Sequence, residues 1–198
     1  MKKFVMLCAL ALIGATSANA AVGIGLVGEG SWGRHGGANP GFGLNVAIGE
    51  MEEIFMEIGI TTWFGTKANP HGIEINLDAP FHVFMGELTD SVLFYVGVGP
   101  HIGFHNRKSE DTNNVLFEVK TSSTNWEFGA IMPVGLRFVT EMFDFWFAVV
   151  PSGGVSYNYS SIRTKTILTD EEVKTTAKAY TGMYYGIGLQ TGFRFWIG

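Results

Sequence analysis

The chain has 198 residues, with 13 Lys and Arg against 18 Asp and Glu, 27 Gly, 16 Phe and one Cys. A single cysteine excludes a disulfide scaffold and a cysteine-ligated metal site. An acidic chain with no run of basic residues lacks the electrostatic footprint of a nucleic-acid binder, so no nucleic-acid partner is expected.

The first twenty residues read MKKFVMLCALALIGATSANA. Lys2 and Lys3, the apolar run Phe4 to Ile13, and the small residues Ala18-Asn19-Ala20 have the three-part layout of a secretory signal. The run is too short to cross a bilayer as a helix. Cleavage is expected after Ala20, giving a signal peptide at 1–20 and one domain at 21–198. Cys8 lies inside the apolar run behind Val5, Met6 and Leu7, whereas lipid attachment needs small residues there. Without Lys2 and Lys3 the remaining chain holds 11 basic and 18 acidic residues, a formal charge of −7, and no cysteine.

Eight period-two segments follow. Alternate side chains of a strand point to opposite faces, so each segment has one apolar and one mixed face. The first sets Val22, Ile24 and Leu26 against Gly23, Gly25 and Val27. The second sets Phe42, Leu44, Val46 and Ile48 against Gly43, Asn45, Ala47 and Gly49. In the third, Ile54, Met56, Ile58 and Ile60 alternate with Phe55, Glu57 and Gly59. The fourth, GIEINLDAPFHVFM, alternates from Ile73 to Met85, with Glu74, Asn76, Asp78, His82 and Phe84 on its other face. The fifth sets Val92, Phe94, Val96, Val98, Ile102 and Phe104 against Tyr95, His101, His105 and three glycines. The sixth sets Trp126, Phe128, Ala130, Met132, Val134, Leu136 and Phe138 against Glu127, Gly129, Gly135 and Arg137. The seventh sets Phe143, Phe145, Phe147 and Val149 against Asp144, Trp146 and Ala148. The eighth runs from Tyr185 to Ile197, with Gly186, Gly188, Gln190, Gly192, Arg194 and Trp196 on its weaker face. The period disfavours helices, and no charge falls on an apolar face.

The connections give a separate signal. Gly49 to Glu52, Gly86 to Asp90 and Thr140 to Met142 are short, whereas 33–40, 65–71, 106–125 and 158–178 are long or polar. The two classes alternate, as they do when successive turns lie at opposite ends of an up-and-down barrel. The expected fold is all-β: an eight-stranded antiparallel up-and-down transmembrane β-barrel.

A soluble ligand-carrying barrel of the lipocalin type would share the alternation with its apolar face turned inward. Three features favour lipid outside. The weaker face is rich in glycine and poor in Lys and Glu, which suits a narrow lumen better than a water-facing surface. Trp126, Phe128 and Phe138 flank Ala130, Met132 and Val134, in the manner of an aromatic girdle around an aliphatic waist. Several apolar faces are long enough to span a bilayer, for which about 9–11 residues suffice.

The signal, the alternating segments and the loop asymmetry resemble the small eight-stranded outer-membrane barrels of the OmpA, OmpX and OmpW type. The last strand, LQTGFRFWIG, is similar to the C-terminal signal read by the barrel-assembly machinery, with Phe195 and Trp196 just before the final Gly198. The resemblance implies export to the bacterial outer membrane. Its partners there would be membrane lipid and the assembly machinery.

Glu57, Glu74, Asp78, Glu127, Arg137, Asp144 and Arg194 share the inward phase. Buried charges persist when paired. The tight turn at Thr140 to Met142 sets Arg137 and Asp144 at one height, and Arg194 is close to the same end. An Arg137–Asp144–Arg194 cluster is therefore expected, with Glu57 as a partner from across the lumen, either as filling or as an ion gate. His82, His101 and His105 also face inward. His101 and His105 beside Glu74 offer zinc-type ligands, but inward histidines in a glycine-rich lumen are more often hydrogen-bonded filling, and no metal or cofactor is expected. No G-x-S-x-G occurs and no His–Ser pair stands at short spacing, so an enzyme, such as a lipid-modifying barrel, is not expected. SEDTNN and TDEE lack EF-hand spacing. The long connections RKSEDTNNVLFEVKTSST and NYSSIRTKTILTDEEVKTTAK alternate Val, Leu, Ile and Thr with polar residues. They are expected to prolong the strands as hairpins, which suits adhesion to an extracellular ligand or host factor. The functional expectation is a structural or surface-interaction barrel with a filled lumen. The alternative is a small channel or receptor for ions or apolar solutes.

Overall fold

The computed structural model describes residues 21–32, 39–50, 54–66, 69–111, 117–166, 172–176 and 179–197; the signal segment lies outside them. The strands are β1 (Ala21–Trp32), β2 (Asn39–Gly49), β3 (Ile54–Thr66), β4 (Asn69–Asp78), β5 (Phe81–Thr89), β6 (Val92–Asp111), β7 (Phe117–Ile131), β8 (Val134–Val139), β9 (Phe143–Thr166), β10 (Glu172–Thr176) and β11 (Tyr180–Ile197).

Apart from β10, which only prolongs the sheet beyond the barrel wall, they make eight staves. β4 and β5 form one stave broken at Ala79-Pro80, and β7 and β8 form another broken at Met132-Pro133. Proline lacks the N–H that a continuous ladder needs. Neighbouring carbonyls and amides bridge the breaks: the Glu57 amide donates to the Pro80 carbonyl at 2.9 Å and the Gly97 amide to that of Pro133 at 2.8 Å. All the pairings are antiparallel, and β11 pairs with β1 from Val22↔Ile197 to Trp32↔Ile187, which closes the cylinder. The fold is an eight-stranded up-and-down barrel.

Two strand phases differ from the plain alternation. Ile54 is buried and Phe55 is 64% exposed, the reverse of the expected assignment. The β2–β3 register moves from Ile48↔Met56 to Gly49↔Ile54, so Phe55 is an extra residue that flips the phase. Similarly, the β5–β6 register passes from His82↔Gly97 to Phe84↔Val96. Val83 and Phe84 are both exposed as a result, and Met85 turns inward against the core. The even phase of the opening alternation in this stave therefore ends at His82.

At one end the barrel continues past its rim. β6 pairs with β7 out to Asp111↔Val119, β7 with β9 out to Phe117↔Thr166, and β10 adds to the far side of β9. The described parts of the two long connections thus form a four-stranded projection in the order β6-β7-β9-β10.

Candidate functional site: the barrel interior

The outer wall is apolar. Phe42, Leu44, Phe128, Phe145, Phe147 and Phe193 are exposed, with Phe42 and Leu44 at 69% and 60%. The inner wall carries the charges: Arg137, Asp144 and Arg194 are fully buried, and Glu57, Glu127, His101 and His105 nearly so. A cylinder whose interior is polar and whose exterior is oily reverses the usual distribution of a water-soluble fold.

Three layers fill the interior. The first lies beside the short turns. Arg194 on β11 and Asp144 on β9 are register partners. Arg194 Nε donates to Asp144 Oδ1 at 2.8 Å, and its Nη1 donates to Glu57 Oε1 at 2.7 Å and Asn45 Oδ1 at 2.9 Å. Arg137 donates to Asp144 Oδ2 from Nε at 2.9 Å and also from Nη2. The Asn45 amide donates to Glu57 Oε2 at 3.2 Å, and His82 Nε2 is 3.1 Å from Glu57 Oε1. The Arg194 guanidinium lies 4.3 Å over the Trp146 ring. β2, β3, β5, β8, β9 and β11 all contribute, so the network ties opposite walls together. β1 contributes a space: a Cβ on Gly25 would collide with the Phe193 carbonyl and the Arg194 side chain.

The second layer is apolar. Val27, Tyr95, Ile131, Trp146, Ala148 and Val150 form a buried cluster with Met85 against it. Tyr95 stacks on His82 with 4.9 Å between centroids. Along β9 this layer occupies 146–150, directly beyond Asp144.

The third layer lies towards the long connections. His101 Nδ1 is 2.5 Å from Asp78 Oδ1, and its Nε2 is 3.8 Å from Glu127 Oε2. His105 is 3.3 Å from Glu127 and 3.4 Å from Glu74, and Arg107 is 3.6 Å from Glu74. The Asn125 amide donates to Glu127 Oε1 at 3.1 Å. Gly103 leaves the room: a Cβ there would lie 2.9 Å from His105 Nε2 and 3.1 Å from Asn76 Oδ1. Three carboxylates thus face one arginine and two histidines.

The structure brings Arg137, Asp144, Arg194 and Glu57 into one network and adds His82 to it. Glu74, Asp78, His101, His105 and Glu127 form the other. His105 meets Glu74, whereas His101 takes Asp78 as its near partner. Among the described residues no group of three or more His, Cys, Asp or Glu side chains is arranged to hold a metal ion. Sequence reasoning missed Asn45, Tyr95 and Trp146 as members, although all three stand in the inward phase of their segments. It also missed Glu29, buried on β1, to which the Thr61 hydroxyl donates at 3.4 Å. Carrying the alternation past Val27 would have found it.

No family model matches the sequence, and no curated protein matches it significantly. Among solved structures, the chain is similar to a major outer membrane protein from Thermus thermophilus. The identity is 10%, the alignment covers 90% of this chain and 99% of that one, and the TM-score is 0.51. It also aligns with Neisserial surface protein A at 15% identity, covering 90% and 97% of the two chains, with a TM-score of 0.46. A third alignment is to the N-terminal β-barrel domain of Pseudomonas aeruginosa OprF, at 15% identity, 88% and 97% coverage and a TM-score of 0.43. At 10% identity the Thermus protein shows a shared barrel fold and nothing finer.

Proposed function

We propose that this chain, a barrel with the fold of small outer-membrane proteins, is an integral outer-membrane protein with a closed lumen that acts structurally and through its surface projection. Lipid cannot satisfy bare backbone N–H and C=O groups, so a sheet in lipid must close on itself, as β1 and β11 do here. The inside-out polarity carries the reading. Hydrocarbon suits Phe42, Leu44 and Phe145, whereas Arg137 needs the polar partners it finds inside.

The layering supports closure. Trp146, Ile131, Val150 and Val27 stand between the two charged networks, so an ion crossing the lumen would have to leave its partners and enter apolar surroundings. The surface role rests on the projection, whose side strands β6 and β10 end as sheet edges among the described residues. Detergent- or lipid-folded protein is expected to migrate differently on gels before and after boiling, and external protease is expected to cut the long connections, the projection among them, on intact cells. A mature chain that stays monodisperse and folded in plain buffer overturns the membrane reading.

A channel or receptor is the second reading. Its receptor form draws on a depression of about 420 Å³ on the outer wall, lined by Gly28, Gly30, Phe42, Phe147, Leu189 and Thr191 among others. Its apolar lining suits an apolar solute or acyl chain. Planar-bilayer recording separates the readings for ions: currents that stay at background in Arg137→Ala and Arg194→Ala eliminate the gate.

A further inference from the structure

The projection has two faces set by register. On the outward face, continuous with the exposed Trp126, Tyr157 and Tyr159, the first cross-strand row is Lys108–Ser122–Ser161–Thr176. The next row is Glu110–Lys120–Arg163–Lys174, and the third holds Glu118, Lys165 and Glu172. Three cations therefore stand side by side on adjacent strands. Like charges directly opposite each other destabilise a sheet. Nearby carboxylates offset this: Glu118, two residues along the same strand, is 2.8 Å from Lys120, and Glu172, diagonally across on β10, is 3.5 Å from Arg163. Lys120 and Arg163 nonetheless keep more than half of their side-chain surface exposed.

The vertical order matters. An aromatic belt of Trp126, Tyr157 and Tyr159 comes first, then the hydroxyls of Ser122, Ser161 and Thr176, then the cation row. Lys120 and Arg163 lie four residues beyond the Thr124↔Tyr159 pair. At about 3.3 Å per residue and a tilt near 40° that is about 10 Å of height, within reach of long side chains folding back to the interface. Belt, hydroxyls and cations stacked in this order match acyl chain, sugar or glycerol, and phosphate.

We infer that Lys120, Arg163 and Lys174 form a binding row for the phosphates of anionic lipid in the leaflet at the projecting end of the barrel. The occupant is a phosphorylated lipid, because the row stands directly beyond the apolar outer wall that the membrane reading places in lipid. This rests on the membrane reading above.

The test uses the mature chain folded in phosphatidylcholine vesicles or neutral detergent, with diphosphoryl lipid A as the probe. Each Lys or Arg near an anionic surface is worth roughly fivefold in affinity, so the triple change Lys120→Gln, Arg163→Gln, Lys174→Gln is expected to weaken binding on the order of a hundredfold. Dephosphorylated lipid A is expected to bind the unaltered chain with a comparable deficit. The single change Lys174→Gln, on a strand that among the described residues pairs only with β9, leaves the barrel ladder intact and is expected to lose about fivefold. Equal binding by the triple variant, or by the dephosphorylated lipid, overturns the inference. So does competition by millimolar inorganic phosphate, which would mark a free-anion site. A dimer in lipid-free detergent that the triple variant abolishes would assign the row to a second copy instead. Failure of the unaltered chain to show heat-modifiable folding in vesicles is a different result, since it sinks the membrane reading itself.

Discussion

Asp144 gives the sharpest test of the interior network. Its two oxygens divide their work: Oδ1 accepts from Arg194, and Oδ2 accepts twice from Arg137. All three side chains are fully buried. Arg137, Arg194, Asp144 and Glu57 sum to zero charge, and Asp144→Ala leaves a surplus of one. Arg194 keeps Glu57 and Asn45, whereas Arg137 loses the two hydrogen bonds it gives to Asp144. Breaking a buried pair by removing one partner costs about 3–5 kcal/mol, because the other charge is stranded. Replacing both partners with apolar groups is far cheaper, so Arg137→Met with Asp144→Ala is expected to cost under about 2 kcal/mol. The double variant is therefore expected to be more stable than the Asp144→Ala single by at least about 1 kcal/mol. Equilibrium unfolding in urea or guanidinium, from phospholipid vesicles and followed by tryptophan fluorescence, measures each value. A single-variant loss below about 1 kcal/mol, or a double variant no better than the single, refutes the stranded-charge argument.

Further perturbations address the other layers. Phe145→Arg or Leu44→Lys places a charge on the outer wall and is expected to destabilise the vesicle-folded barrel by about 2–4 kcal/mol if the site lies near mid-bilayer; no loss in the same unfolding assay would argue that water touches that wall. Gly25→Ala drives a methyl group into the Phe193 carbonyl and the Arg194 side chain, and is expected to cost about 1–3 kcal/mol as an overpacking defect. Trp146→Ala opens the apolar layer, and planar-bilayer recording is expected to show discrete ion currents that the unaltered chain lacks. Glu127→Gln removes the carboxylate between His101 and His105; a loss of about 1–3 kcal/mol is expected from groups left short of a partner, and no change in unfolding would show the third layer to be energetically idle.

The strand count, the facing of most side chains and the inward charges were legible in the sequence because a strand reports its own faces. Alternation needs only neighbours along the chain, and the Ile73 to Leu77 and Phe143 to Val149 stretches kept their phase. The exceptions at Phe55 and at Val83–Phe84 arise from bulges, which depend on how many residues the partner strand offers at that height. No single-strand pattern contains that information. The turn at Thr140 to Met142 made the Arg137–Asp144 pairing readable, since a tight hairpin fixes register locally.

Composition, period two and the short–long alternation of connections determined a barrel with charges inside. Contacts across the cylinder were decided only by closure. Arg194 and Asn45 are separated by 149 positions and meet at 2.9 Å because β11 joins β1, and shear then sets their common height. The same holds outside the rim, where Lys120, Arg163 and Lys174 are scattered along an acidic chain and become a row through strand pairing alone. Facing is a property of one strand, whereas juxtaposition is a property of registers summed around a closed sheet, and only the folded cylinder fixes that sum.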